Sequence, residues 1–392
     1  MKQIVLCSLT RAIGLRNLIN NIRMKVLLSG ATAGTNFGDF LFAKMFQRHV
    51  ADIVGEENVF WNDKGYRTFS EFYAQRLNYK GRFKLKDIDA LVYISGGYFC
   101  GDDRCWKDYL FRYLHYFHIG VLCLLRRKPY AIIAVEAARS SSFIIDSIQR
   151  LLIKKAEIVV VRNQPSMDYV ESVIGKESGR AFCTADSVFA MERSLFEDSL
   201  IPEDIEKSPY PKLFLHCNPA MYQSVRHFDT IIPIINKFLE NHSNYQVVVS
   251  ADQYNSQFSH VGGVGYEAKK LINSDKTIIY QYDNPVALCK VIDQCRVVIT
   301  TKLHVGIVGA HLGKSVVSFS GHTQKISRLY EQLGVSDRTI SLSTLTVDKG
   351  IELLENKYNI GVKVPDLIVE AAKSNFLHLR NFLENHDKKY RK

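Results

Sequence analysis

Lys302, His304 and Lys325 fall within one stretch, RVVITTKLHVGIVGAHLGKSVVSFSGHTQK. Two ammonium groups around an imidazole suit an anionic ligand. The cations neutralise charge, and the imidazole titrates near neutrality, so it can give up a proton and recover it. A lone histidine at such a place is more often a packed or capping residue; the neighbouring cations and the turn position raise it above that reading. Arg162 closes the apolar run IVVVR. Its guanidinium, anchored on a rigid element, can grip a carboxylate or phosphate in a fork, or else close a salt bridge with a neighbouring acid. Asp186, in CTADSVF, offers a carboxylate that could orient a base or a hydroxyl, although a lone aspartate in a turn more often shapes the chain. In GATAGTNFGD, Gly34 and Gly38 permit close backbone approach, while Asn36 and Asp39 offer hydrogen bonds to hydroxyls. Asp39 reads equally as a helix N-cap. A second glycine loop, SGGYFCGDD at residues 95 to 103, brings Gly96 and Gly97 to a strand end, where they either turn the chain or let a ligand reach the backbone.

These residues need elements to hold them. Arg296 to Thr301 is a β-branched run of the kind that makes a buried parallel strand, and Val305 to Leu312 is an apolar segment that continues as a helix, with Lys-Leu-His at the turn between. In an open α/β sheet, ligands bind at the carboxyl ends of strands, where the first amides of the next helix favour negative charge. Further strands are expected at Lys25 to Ser29, Ala90 to Ser95, Tyr130 to Val135 and Ile158 to Val161, with a long aromatic helix from about Trp106 to Leu125 and another at Phe143 to Lys155. Alternating strands and helices imply a parallel sheet with right-handed crossovers.

From Ser194 to Lys212 the periodicity fails and Pro202, Pro209 and Pro211 appear. Beyond this break, Leu213 to Cys217, Gln246 to Ser250, Thr277 to Tyr280, Val297 to Thr301 and Val316 to Phe319 read as the strands of a second α/β unit, with helices at Phe228 to Asn241 and Pro285 to Gln294. The expected organisation is an extension at 1–23, a first Rossmann-like domain at 24–195, a linker at 196–212, a second Rossmann-like domain at 213–365, and a C-terminal helix and basic tail at 366–392. The last helix is expected to end near Leu383 and to fray into HDKKYRK.

The chain has 392 residues, long enough for two cores. Its formal charge of +11 calls for acidic partners. No basic run resembles a nucleic-acid tail and no aromatic pattern resembles an RNA-binding motif, so nucleic acid is not an expected partner. The eight cysteines are scattered, with Cys7, Cys123, Cys217 and Cys289 inside apolar runs, as reduced core residues of a cytosolic protein would be. Cys100 and Cys105 have no second matching pair, and His115 and His118 lack thiols at zinc spacing, so no metal site is expected. The apolar stretch before Arg23 is too short and too charged, at Arg11 and Arg16, to span a membrane.

In order and spacing, VLLSGATAGTNFGDFLFAKMF, DALVYISGGYFCGD, AEIVVVRNQPSMDYV, CTADSVFAM and VVITTKLHVGIVGAHLGKSVVSFSGHTQKISRLYEQLGV resemble the polysaccharide pyruvyl transferases over roughly residues 25 to 335. The resemblance implies two Rossmann-like domains of the glycosyltransferase-B type, an acceptor side first and a donor side second, with a cleft between the domains. It implies pyruvate transfer from phosphoenolpyruvate to a sugar of a surface polysaccharide, such as a capsule or exopolysaccharide, or to its lipid-linked precursor. A ketal forms and phosphate leaves. No cofactor beyond the co-substrate is implied. By the same resemblance Arg162, Lys302, His304 and Lys325 bind the donor, with lysine at 302 where the family usually has arginine. From the residue chemistry itself, His304 is the expected proton donor or phosphate ligand, Asp39 or Asp186 the expected base for the acceptor hydroxyl, and Asn36, Gly38, Asp39, Gly96 and Gly97 the expected acceptor contacts. AVEAARSSS replaces a commonly glycine-rich loop, which points to Glu136 and Arg139 in acceptor selection. A cytoplasmic enzyme resting at the inner face of the membrane fits a lipid-linked acceptor, with YLFRYLHYFHIGVLCLLRRK as the docking helix, although the same helix reads as ordinary core with a cationic end. The competing expectations are a nucleotide-sugar-dependent glycosyltransferase and a noncatalytic glycan-binding protein of the same fold.

Overall fold

The structure is a computed structural model that describes residues 24–63, 69–100, 105–217, 227–321 and 323–390. The expected extension at 1–23, Cys7 and residues 101–103 of the second glycine loop lie outside these. The chain forms two compact units. One comprises the residues up to Gly34, Ala43–Thr184 and those from Ser374 onward; the other comprises Thr35–Phe42 and Ala185–Lys373. The first turn of the helix Phe37–Val54 thus groups with the second unit.

The first unit carries β1 (Val26–Ser29), β2 (Val59–Trp61), β3 (Ala90–Tyr93), β4 (Gly96–Phe99), β5 (Tyr130–Ala137), β6 (Ile158–Val161) and β7 (Ala181–Cys183). The sheet order is β2-β1-β3-β5-β6-β7, with β4 also on β5, and every pairing is parallel. β5 is buried along its whole length and serves two partners: its first half pairs with β3 and its second half with β4. Between them it carries an extra residue against β6, where Ile132 pairs with Val159 but Val135 with Val161. Ala134, at this bulge, has φ 56°, a conformation that costs a residue with a Cβ roughly 1–2 kcal/mol. Ser95 Oγ donates to the Ala134 carbonyl at 2.8 Å and so satisfies the displaced backbone.

The second unit carries β8 (Lys212–His216), β9 (Gln246–Ser250), β10 (Ile278–Tyr280), β11 (Val297–Thr300), β12 (Ser315–Ser320) and β13 (Thr339–Ser341), in the order β10-β9-β8-β11-β12-β13, again all parallel. The order reverses between β8 and β11. In such sheets the crevice for ligands opens at that point, beyond the carboxyl ends of the strands.

The long aromatic helix runs as expected from Trp106 to Leu125, with one π turn at Tyr113–Phe117. The expected linker region contains the short helix Glu203–Glu206 and lies inside the second unit. The last helix does not end near Leu383 but continues to Tyr390. His386 draws its end inward: the imidazole meets Glu157 at 2.5 Å and packs edge-on against Phe382. Cys123, Cys217 and Cys289 are buried and free, and burial pushes the Cys217 thiol up to about 12.

Candidate functional site

β11 ends at Thr300, and the chain turns through Thr301 and Lys302 into the helix Leu303–His311. Thr300 fixes this turn by accepting the Lys302 amide at its hydroxyl, 2.9 Å away. Lys302 is the cap residue, but its ammonium has only hydrogens to donate and cannot satisfy the helix amides; it lines a cavity instead. A cavity of about 190 Å³ opens here, walled by Asn36, Asp252, Thr301, Lys302, His304 and Lys325. All belong to the second unit. Three cation-capable side chains named from the sequence therefore share one small chamber, with Asn36 from the NFGD segment beside them.

His304 is held on several sides. Phe42 presents its ring edge-on at a centroid distance of 5.0 Å. Asp186 Oδ2 stands 3.8 Å from Nε2, an ion-pair distance, while its Oδ1 accepts the Val188 amide at 3.1 Å. Asp186 is thus both a cap and the carboxylate facing the imidazole. On the Nδ1 side lies Gly38: a Cβ there would fall 1.9 Å from Nδ1, so no larger residue fits while the ring keeps its place. Gly38 makes room for His304 rather than only for a ligand. The N-cap of the first helix is Asn36 and not Asp39, because Asn36 Oδ1 accepts the amides of Gly38 at 3.0 Å and Asp39 at 3.3 Å. Asp39 is half-buried in the first turn.

Arg162 follows β6 in the first unit and is paired: its Nη2 donates to Glu136 Oε2 at 2.7 Å, with both side chains nearly buried. The salt-bridge reading of Arg162 is therefore realised, and Glu136 is its partner from β5. Gly96 and Gly97 open β4 instead of lying in a loop, and Gly96 pairs with Val135.

Sequence reasoning missed His216, Asp252 and Thr301. His216 Nε2 stands 3.2 Å from Asp252 Oδ1, and its Nδ1 stands 3.2 Å from Thr301 Oγ1. Burial acts against charge on Asp252, but the adjacent His216 ring and the Lys302 ammonium together hold its carboxyl below the usual 3.8. No motif links these three positions. What could have found them is that each lies at or just beyond the carboxyl end of an expected strand, in KLFLHC, VVVSAD and VVITTK.

The profile of the polysaccharide pyruvyl transferase family matches residues 36–323. The chain belongs to this family. In this polysaccharide pyruvyl transferase the matched span takes in Arg162, Asp186, Lys302 and His304 and stops two residues short of Lys325. No curated protein matches the sequence significantly. Solved structures match over nearly the whole chain. A candidate UDP-N-acetylglucosamine 2-epimerase from Listeria monocytogenes gives a TM-score of 0.63 at 11% identity, covering 92% of this chain and 97% of that one. The UDP-GlcNAc 2-epimerase from Neisseria meningitidis, bound to UDP-GlcNAc, gives 0.58 at 11%, covering 91% and 100%. MnaA from S. aureus, with UDP, gives 0.57 at 11%, covering 92% and 97%. At such identities the likeness establishes the glycosyltransferase-B-like fold of two parallel-sheet α/β units and nothing of the substrate.

Proposed function

We propose that this pyruvyl transferase takes its pyruvyl group from phosphoenolpyruvate and joins it as a ketal to two hydroxyls of a sugar in a surface polysaccharide or its lipid-linked precursor. The single observation that carries this reading is the small cavity in which Lys302, Lys325 and His304 meet. At about 190 Å³ it lies below the ~300–1,000 Å³ common for pockets that hold larger organic ligands, which favours a compact, doubly charged donor over a nucleotide sugar.

The chemistry follows from an enol phosphate. A proton adds to the methylene carbon, one sugar hydroxyl attacks the adjacent carbon, and a second hydroxyl replaces phosphate there. The two hydroxyls release two protons: one makes good the proton consumed at carbon, and the other leaves on the departing phosphate. Lys302 and Lys325 neutralise the donor carboxylate and the departing phosphate. His304, with the Asp186 carboxylate 3.8 Å from its Nε2, supplies the proton and regains it, as a positioned general acid does. Asp39 is the carboxylate assigned to the acceptor hydroxyl, and Asn36 holds the sugar. Arg162, Gly96 and Gly97 belong to the first unit, where Arg162 is paired with Glu136 and Gly96 with Val135, and no step is assigned to them here. No cofactor beyond the co-substrate takes part.

Incubation with phosphoenolpyruvate and candidate lipid-linked sugars, followed by mass spectrometry, should show a carboxyethylidene group on the glycan and stoichiometric phosphate. Because the fold is shared with proteins that hold UDP-GlcNAc, that nucleotide sugar is the control ligand. Thermal stabilisation by UDP-GlcNAc but not by phosphoenolpyruvate would overturn the reading.

The lipid-linked acceptor carries its own support. No helix among the described residues is long and apolar enough to cross a membrane. Yet the helices Trp106–Leu125 and Phe143–Lys155 of the first unit, which pack together, expose Trp106 (65%), Leu125 (74%), Phe143 (84%) and Ile144 (69%). Lys107, Arg126, Arg127, Arg150, Lys154 and Lys155 are exposed on or beside the same helices. Apolar side chains set among cations suit the inner face of an anionic membrane. Co-sedimentation with vesicles containing phosphatidylglycerol at low salt, lost in Phe143→Ser/Ile144→Ser, is the expected result; equal recovery of both proteins in the supernatant removes membrane contact from the proposal.

A further inference from the structure

The first unit has a cavity of about 400 Å³ at the amino end of its sheet, where Tyr130 opens β5 and Glu157 precedes β6. None of the residues assigned to the reaction lines it. Its cations are Arg127, Lys128 and Lys155, set around a single carboxylate, Glu157, which His386 already engages. The helices Trp106–Leu125 and Phe143–Lys155 both end here. Cations near helix ends commonly answer the partial negative charge of the last carbonyls. Here other donors serve those carbonyls: the Arg127 amide bonds Leu124, the Lys128 amide bonds Cys123, and Arg180 Nη1 donates to the Ala156 carbonyl at 2.7 Å. The first two bonds, at 3.0 and 2.9 Å, close a Schellman turn whose left-handed residue is ordinarily glycine, yet Arg127 stands there with φ 54°. Strain kept for a charged side chain on a cavity wall points to a use for that charge. Among the described residues, neither the Arg127 nor the Lys155 side chain has a hydrogen bond or an ion pair, and both residues are exposed. The Lys128 ammonium is fixed by the carbonyls of Lys86 and Ile88 and keeps a third hydrogen to give.

We propose that this cavity is a second anion site, which binds a phosphate or diphosphate group through the Arg127 guanidinium and the Lys128 and Lys155 ammonium groups. The planar guanidinium supplies direction, and the two ammonium groups supply charge. At about 400 Å³ the cavity falls within the ~300–1,000 Å³ of pockets that hold organic ligands, so it has room for a diphosphate or for a phosphate with the group it esterifies. Such groups are carried by soluble molecules and by lipids. Leu125, two residues before Arg127 and 74% exposed, is placed to meet an acyl chain. A lipid source rests on the membrane contact proposed above; a soluble source does not.

The test uses the full chain carrying Lys302→Ala, so that the donor cavity does not contribute, and inorganic pyrophosphate as the probe in calorimetry. Adding Arg127→Gly or Lys155→Gln should each weaken pyrophosphate binding about tenfold, the loss of one charged hydrogen-bonding partner. Arg127→Gly should do so without lowering the melting temperature of the ligand-free protein, because glycine takes the left-handed conformation freely. If the parent binds no pyrophosphate, or if both variants bind it as the parent does, these cations only complement the helix ends and the proposal is overturned. Vesicles containing phosphatidylglycerol, at ionic strength matched with chloride, identify the source. Release of the parent from them by pyrophosphate assigns the site to a lipid phosphate, whereas undisturbed co-sedimentation with pyrophosphate bound assigns it to a soluble ligand. A parent that never sediments with the vesicles removes the membrane reading, and calorimetry alone then decides whether the anion site exists.

Discussion

Gly38 and His304 constrain each other more tightly than any other pair of residues at the site. The ring occupies the space where a side chain on Gly38 would stand, with Phe42 against its face and Asp186 beside Nε2. Gly38→Ala must therefore displace the imidazole, and turnover should fall by about 10²–10⁴-fold, the range expected when a positioned acid is lost, and should match His304→Ala. Circular dichroism should show both variants folded, since the change is local. Full activity in Gly38→Ala would show that the ring position is not used. Lys302 belongs to the same test: an ammonium keeps the charge but not the planar fork of arginine, so Lys302→Arg should retain phosphoenolpyruvate binding and Lys302→Ala should lose it. Equal affinity in all three proteins removes Lys302 from the site.

At the scale of elements, the pair Arg162–Glu136 joins β6 to β5, with both side chains nearly buried. Removing one partner leaves the other charge buried alone, at a cost of about 3–5 kcal/mol. Arg162→Gln should accordingly lower the denaturant midpoint, and adding Glu136→Gln should recover part of that loss. Full additivity of the two changes would show that the ion pair does not couple the strands. The strands that carry these residues were legible because β6, β9, β11 and β12 are rich in consecutive β-branched residues and β1, β5 and β8 are apolar along most of their length, as strands buried on both faces are. β2, β7 and β13 were not. Each has three residues at a sheet edge; β10 is as short but was legible because Thr277, Ile278 and Ile279 are consecutive β-branched residues. β4 was hidden differently, because its paired glycines signal a turn although Gly96 pairs with Val135. Lys302, His304 and Lys325 were found together because they are close in sequence. His216 and Asp252 reach Thr301 only through the order of strands, which no local pattern encodes.

For the whole molecule, acidification is the informative stress. The Asp252 carboxyl is held low against its burial by His216 and Lys302, and the Asp293 carboxyl, likewise against burial, by Arg193 and Lys314. A carboxylate whose folded pKa is depressed contributes stability above its ordinary 3.8, and that contribution disappears as pH falls through the folded value. His311, whose Nε2 contacts the Met191 carbonyl at 2.7 Å, and His378 are pushed below their ordinary 6.5 by burial. Below 6.5 the unfolded chain gains protons there that the folded chain resists. Melting temperature should decline gently from pH 6.5 downward and steeply below about pH 3.8. A melting temperature independent of pH between 7 and 3 would contradict this linkage.

The extra residue in the middle of β5 bears on which genetic changes this chain can survive. Side chains alternate along a strand, so the insertion at Ala134 resets which face every later position takes relative to β6, and Glu136 lies just beyond it. Loss of a single codon there would relieve the unfavourable backbone turn and yet send Glu136 away from Arg162. At this point of the fold, an in-frame deletion that looks like a repair should be less tolerated than most replacements of the residue itself.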